Sequence, residues 1–149
     1  MESVGKWIST IHRYAHIFFN QEADELGIGG GQFSFLFLLY RQDGVSQDHL
    51  AKKLYIDKAT TARAIQKLEE CGFVRREKSE IDRRQNLVYL TDKAHGVKEQ
   101  VMETLANWTN ILTKDFSEEE YEIVLRLLKK MAGNATEHIS KGEGCKREG

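Results

Sequence analysis

The segment DKATTARAIQKLEECGFVRREKSEIDRRQNLVYLT, residues 57–91, places a helix with a polar outer face directly before two short runs joined by a charged turn. Asp57 stands where an N-cap belongs, its carboxylate close to the positive end of the helix dipole and able to accept a backbone N–H. Thr61, Ala64, Ile65 and Leu68 recur at three- and four-residue spacing, which gathers them on one face. Lys58, Ala59, Ala62, Arg63, Gln66 and Lys67 fall largely on the others. Gly72 supplies the left-handed stop. Phe73 to Glu77 reads as a short strand, and Leu87 and Tyr89, alternating with Val88 and Leu90, as its return. Asp82, Arg83 and Arg84 mark the hairpin tip, and Thr91 caps a following helix at TDKA.

Upstream, Ser46 is a second N-cap, and Leu50, Leu54 and Val45 give SQDHLAKKL the apolar spacing of a short helix, with Tyr55 and Ile56 in the turn. Two capped helices, a glycine stop and a basic hairpin in this order predict a winged helix-turn-helix. A solvent-facing helix with Lys and Arg is by itself usually only a solvated face; the order of the signals carries the inference. Such a second helix can enter a major groove, and a basic hairpin tip can reach phosphate or the neighbouring minor groove. The residues predicted to face double-stranded DNA are Lys58, Thr60, Arg63, Gln66, Lys67, Arg83 and Arg84.

The 149 residues suffice for one domain-sized unit, and a hydrophobic share of 40% excludes a disordered chain. The chain has no proline, which suits a chain whose helices start at polar caps. Net charge is −1, which argues against indiscriminate coating of nucleic acid. Residues 45–91 hold ten Lys and Arg against seven Asp and Glu, a balance of +3 that leaves −4 elsewhere; the positive part coincides with the predicted reading head. No run is apolar and long enough for a membrane span, and no signal-peptide order is present, so the expected location is cytoplasmic. Cys71 and Cys145 have no CxxC partner. Cys71 is expected to pack at a helix end, and Cys145 to lie in a flexible tail, residues 141–149. No nucleophile elbow, HExxH or paired-carboxylate arrangement points to an enzyme, and no cofactor is called for.

Val4, Trp7, Ile8, Ile11, Tyr14, Ala15 and Phe18 predict a first amphipathic helix. Val97, Val101, Leu105, Trp108 and Leu112 predict another after the wing, and a capping box, Ser117 to Glu120, opens a last one. In that last helix Ile123 and Leu127 lie off the main stripe of Tyr121, Val124, Leu125, Leu128 and Met131, so its middle is apolar over more than one packing surface requires. A partner chain is the simplest cover, making the protein a homodimer. Gly27 and the glycines at 29–31 read as a hinge, lacking the lysine and spacing of a phosphate loop. Gln32 to Arg41 reads as a helix apolar almost all round, hence buried, with Phe33, Phe35, Phe37 and Tyr40 among its aromatic residues. His12 and His16, four apart, have the spacing of a helical zinc site, but two ligands are too few without Glu22, Asp24, Glu25 or His95. They read first as a helix flank with no special role and second as part of a pocket wall, and no metal site is assigned.

LEECGFVRR (68–76), DRR (82–84) followed after five residues by LT (90–91), and GVSQDHLAKKL (44–54) together resemble the MarR family of winged-helix transcriptional regulators. The resemblance extends over nearly the whole chain in length and helix order. It implies a mainly α fold with a small β-hairpin wing, a winged-helix region at 33–91, and a helical dimerisation region from 1–26 and 92–140. It also implies that Arg84 enters the minor groove, that Asp82 orients the wing, and that Arg83 favours phosphate. ATTAR (59–63) resembles the recognition-helix stretch of that family, with Ala59 and Ala62 where serine or threonine is usual. Redox-sensing members carry a reactive cysteine near the start of the first helix, and this chain has none there. The implied function is a dimeric regulator, a repressor released by a small aromatic or anionic effector, bound to a pseudo-palindromic site. The implied effector crevice would bring together His12, Arg13, His16, Phe37 and Tyr40. The competing reading is a winged-helix module that binds protein; cations on two adjacent elements favour DNA, because phosphates need a distributed cationic surface.

Overall fold

Side-chain caps set where five of the helices begin, at Ser3, Ser46, Asp57, Thr91 and Ser117. The structure, a computed structural model, describes residues 2–147, with side chains described through residue 142. Helix α1 (Val4–Leu26) starts at Ser3, whose hydroxyl accepts from the Lys6 N–H. A 3-10 turn (Gly30–Gln32) leads into α2 (Phe33–Arg41). Strand β1 (Val45–Ser46) precedes α3 (Gln47–Leu54), which Ser46 caps through the His49 N–H at 3.0 Å. Helix α4 (Lys58–Glu70) is capped by Asp57 through the Thr60 N–H at 2.8 Å. Strands β2 (Val74–Lys78) and β3 (Asn86–Leu90) form the hairpin. Thr91 caps α5 (Asp92–Gly96), α6 (Lys98–Leu112) follows, and α7 (Glu118–Arg147) opens with the reciprocal Ser117–Glu120 box. Two units divide the chain, Met1–Thr109 and Asn110–Gly149.

The first unit is built on α2. Its Phe33, Phe35, Leu36 and Leu39 are buried and join Leu50 of α3, Ile65 and Leu68 of α4, Phe73, and Val88 of β3 in one apolar cluster, extended by Ala94 and Val101. The three strands pair antiparallel in the order β1-β3-β2, with Val45 opposite Val88 and Arg76 opposite Val88 on the other edge. Val45 is therefore sheet, not part of the α3 stripe; a two-residue strand is too short to show a period. Gly72 takes φ 81°, and the Phe73 N–H reaches back to the Leu68 carbonyl, turning the chain out of α4 into β2.

Three further expectations differ from the structure. Cys71 is exposed, because the buried neighbours Leu68 and Phe73 take the inner positions and the capping residue between them turns outward. The helix after the wing is broken at Val97, where the backbone leaves helical geometry between α5 and α6. α7 continues through Arg147, beyond residue 140, where the sequence reading stops it; residues 148–149 and the Cys145 side chain lie outside the described residues. No described helix is long and apolar enough to cross a membrane.

Within the glycine run one position is closely packed. Gly27 ends α1 in the left-handed region, and Gly30 packs so closely on α1 that a Cβ there would lie 2.2 Å from Asn20 Oδ1 and 3.0 Å from the Asn20 backbone nitrogen. At Gly31 an added Cβ meets nothing within 4 Å. Gly30→Ala should therefore destabilise the protein by about 1–3 kcal/mol through overpacking, while Gly31→Ala is neutral or stabilising by up to about 1 kcal/mol. Urea unfolding of the two variants checks this, and equal effects would return the segment to a hinge.

Candidate nucleic-acid interface

Burial of Thr61, Ile65 and Leu68 leaves Lys58, Ala59, Thr60, Arg63, Gln66 and Lys67 exposed on the outer side of α4. Their side chains are not scattered. Asp57 Oδ2 accepts from the Thr60 hydroxyl at 2.7 Å, and Thr60 Oγ1 accepts in turn from Arg63 Nη2 at 3.1 Å. The Thr60 hydrogen bonds, side-chain and then backbone, hold the Asp57 carboxyl below its ordinary range. Lys58 Nζ lies 3.7 Å from Asp48 Oδ2 on α3, and Gln66 Nε2 donates to Glu70 Oε1 at 3.2 Å. An exposed helix of this kind is of a width that a B-DNA major groove admits.

The hairpin turn closes on itself. The Ser79 N–H donates to the Gln85 carbonyl at 3.0 Å, the buried Ser79 hydroxyl accepts from the Asp82 N–H at 3.2 Å, and the Gln85 N–H donates to the Asp82 carbonyl at 2.9 Å. Asp82 then holds Arg84 three times: Oδ1 accepts from its backbone N–H at 3.1 Å and from Nε at 3.0 Å, and Oδ2 accepts from Nη2 at 3.2 Å. Those bonds keep the Asp82 carboxyl below its usual range. The Arg84 side chain remains 90% exposed. An exposed ion pair contributes little to stability, but this one fixes where a guanidinium points. Arg83 is exposed beside it, and Ile81 is 99% exposed on the same turn.

Two contacts that the sequence did not reveal tie the hairpin down, one to helices α3 and α4 and one to the loop after α2. Arg76 of β2 donates from Nη2 to Glu69 Oε1 at 2.9 Å and from Nε and its backbone N–H to Glu69 Oε2, while Nη1 reaches Gln47 Oε1 of α3 at 3.3 Å. The bond to Arg76 holds the Glu69 carboxyl below, and raises the Arg76 guanidinium above, their ordinary values. Asp43 Oδ1 accepts from the N–H groups of Gly44 and Leu90, at 3.0 and 2.9 Å, fixing the end of β3. Neither contact follows a helix or strand period, so only the presence of charged residues at element ends could have hinted at them.

The residues expected around an effector are not brought together. His12, Arg13 and His16 are exposed on α1. The Tyr40 hydroxyl donates to the Ala94 carbonyl at 2.5 Å, and burial pushes its pKa up to about 12. Phe37 does line an apolar crevice of about 410 Å³, with Phe19, Met102, Leu105 and Trp108. The ring of Phe18 stacks on Trp108 at 5.1 Å. Neither that crevice nor a second of about 380 Å³ beside Asn20, Asp24 and Gly30 takes in the two histidines. Among the described residues no three His, Cys, Asp or Glu side chains gather as a metal site would need.

Comparison with known proteins agrees with this geometry. The model of the MarR family matches residues 30–85. The HTH-type transcriptional regulator YybA of Bacillus subtilis (strain 168) is 28% identical over 145 residues, 95% of this chain and 97% of its own. The crystal structure of a MarR transcriptional regulator from Methanosarcina mazei Go1 superposes with a TM-score of 0.81 at 40% identity, over 90% of this chain and 96% of that one. A MarR family regulator from Listeria monocytogenes, complexed with 26mer DNA, gives 0.86 at 26% identity over 93% and 92% of the two chains.

Because the Glu69 carboxyl titrates below its ordinary value of 4.5, its bond to Arg76 contributes fully above that value and is lost as pH falls through the lower folded-state value. Glu69→Gln should therefore lower stability at neutral pH, with the difference from the unaltered protein vanishing at acid pH. Urea unfolding across pH measures it; a difference that persists at acid pH would mean that Glu69 acts by packing.

Proposed function

The chain belongs to the MarR family, and from that premise we propose that it is a dimeric, sequence-specific DNA-binding regulator that represses transcription until a small aromatic or anionic effector releases it. One observation carries the reading: an exposed helix bearing Lys58, Thr60, Arg63, Gln66 and Lys67 belongs to the same unit as a hairpin whose Arg84 is held outward by Asp82. The helix is suited to the major groove and Arg84 to the negative potential of a narrow minor groove. Arg83 and the lysines supply phosphate contacts, which position the head without reading bases. The Listeria monocytogenes neighbour complexed with 26mer DNA supports the same assignment.

The dimer is supported by what the single chain leaves uncovered. Trp7, Ile8, Ile11 and Ile17 of α1 are each more than 40% exposed, and Ile123, Leu127 and Leu128 of α7 likewise. Apolar stripes of this length on separate helices are not ordinary isolated surface residues. A second copy, joined through 1–26 and 92–140, covers them and presents two heads about a two-fold axis to a pseudo-palindromic site. The effector's ring is placed in the Phe37 crevice, where it shifts DNA binding only by preferring one separation of the heads over another.

Three measurements test this. Sedimentation at micromolar concentration should show a dimer; a folded monomer would sink the two-head arrangement. Selection from a random duplex pool should return an inverted repeat. On the selected site Arg63→Ala should cost about 1–3 kcal/mol per half-site and relax one base position, whereas Arg84→Ala should weaken A·T-flanked sites most and lower the salt slope by about one contact per subunit. Fluorescence anisotropy across salt and flanking sequence reads both, and unchanged affinity after Arg84→Ala would remove the wing from the interface.

A further inference from the structure

The start of α4 contains a directed chain of three polar side chains. Asp57 is held by its cap geometry, and both of its carboxylate oxygens are engaged by one residue: Oδ1 takes the Thr60 N–H at 2.8 Å and Oδ2 the Thr60 hydroxyl at 2.7 Å. An ionised carboxylate only accepts, so the hydroxyl hydrogen is committed to Asp57 and the oxygen lone pairs are left for a donor. Arg63, three residues on, is that donor, with Nη2 at 3.1 Å from Thr60 Oγ1. A guanidinium only donates, so the direction of the chain cannot reverse. Anion at one end and cation at the other polarise the shared hydroxyl in the same sense.

All three residues are exposed, so the chain adds little to folding. Its effect is on orientation. An exposed arginine normally samples many rotamers and loses that freedom on binding; a second anchor on the same helix removes part of the loss beforehand. We propose that Thr60 is a positioning residue for Arg63, and that the Asp57-anchored hydroxyl sets the base discrimination of α4 without Thr60 itself touching a base. The proposal rests on the reading of α4 as the groove-facing helix. It departs from the simpler assignment in which Thr60 and Arg63 contact DNA independently. The depressed carboxyl of Asp57, caused first by the Thr60 side chain and last by the charge of Arg63, fits a guanidinium that reaches the carboxylate through the hydroxyl and not directly.

Thr60→Val removes the hydroxyl at nearly constant shape and leaves the backbone N–H at 60 free to meet the Asp57 cap; Thr60→Ser keeps the hydroxyl. On the free protein, NMR titration should show the Asp57 carboxyl pKa rising in Thr60→Val and not in Thr60→Ser, with the Arg63 Nε–Hε group becoming more mobile only in the former. On duplexes varied one base pair at a time, Thr60→Val should lower discrimination about two- to tenfold per half-site at the positions that Arg63→Ala affects. It should have no further effect in an Arg63→Ala background, and Thr60→Ser should restore the preference. An equal loss with and without Arg63 would make Thr60 a direct contact and overturn the proposal, as would an unchanged Asp57 titration or an unmoved Arg63. A protein that binds no duplex with sequence preference would overturn the DNA reading and the specificity role together, while the titration would still decide whether the side-chain chain exists.

Discussion

Helix α4 can have only one rotation about its own axis. Thr61, Ile65 and Leu68 lie within about two turns of one another and are each no more than 1% exposed, pressed into the cluster that α2 dominates. Each residue of an α-helix advances about 100°, so a slip of one position would drive Ala62 and Gln66 into the core and bring out Ile65. The Thr61 hydroxyl gives a measure of how firmly the register is held: it is buried with no hydrogen-bond partner among the described residues, a cost the apolar contacts around it outweigh. The outward set from Lys58 to Lys67 follows from that burial. The surface that reads DNA under the proposed function is thus the complement of a packing solution.

The wing obeys a different constraint. Beyond β2 and β3 its turn buries little apolar surface, and its shape comes from a closed ring of hydrogen bonds among Ser79, Asp82, Arg84 and Gln85. Such a turn is stiff locally yet carries few contacts that tie it to the core, the combination expected of an element that adjusts to a groove. Rigidity returns at the base of the hairpin. Arg76 is clamped by Glu69 and Gln47, and Asp43 holds the far end of β3, so the base of the hairpin is tied to α3 and α4.

Elements with a period or a cap were legible from residues alone. Ser46, Asp57, Thr91 and the Ser117–Glu120 box act as caps as expected, and the alternation of Val88 and Leu90 gives the buried side of β3. What escaped was either too short or too distant in sequence. β1 has two residues, and the Glu69–Arg76 and Asp43–Leu90 contacts join element ends that no local pattern relates. Within the glycine run a free position and a close-packed one look identical in sequence; Asn20 lying against Gly30, with open space at Gly31, separates them. Spacing correctly put His12 and His16 on one helix, but whether a helix face meets a crevice depends on its neighbours. At the candidate interface the outward residues were legible, whereas the bond from Arg63 to Thr60 required knowing which way each side chain turns.

The reliance on Ser, Asp and Thr caps in a chain without proline has a kinetic consequence. Isomerisation of peptide bonds preceding proline takes tens of seconds and is a common origin of slow refolding phases. Nothing within these 149 residues can wait on that step. Helix formation and hairpin closure finish in microseconds, so under the proposed dimer a concentration-dependent encounter between copies is left as the slow event of refolding. The time course of recovery from denaturant would then report on association, with no isomerisation phase to subtract.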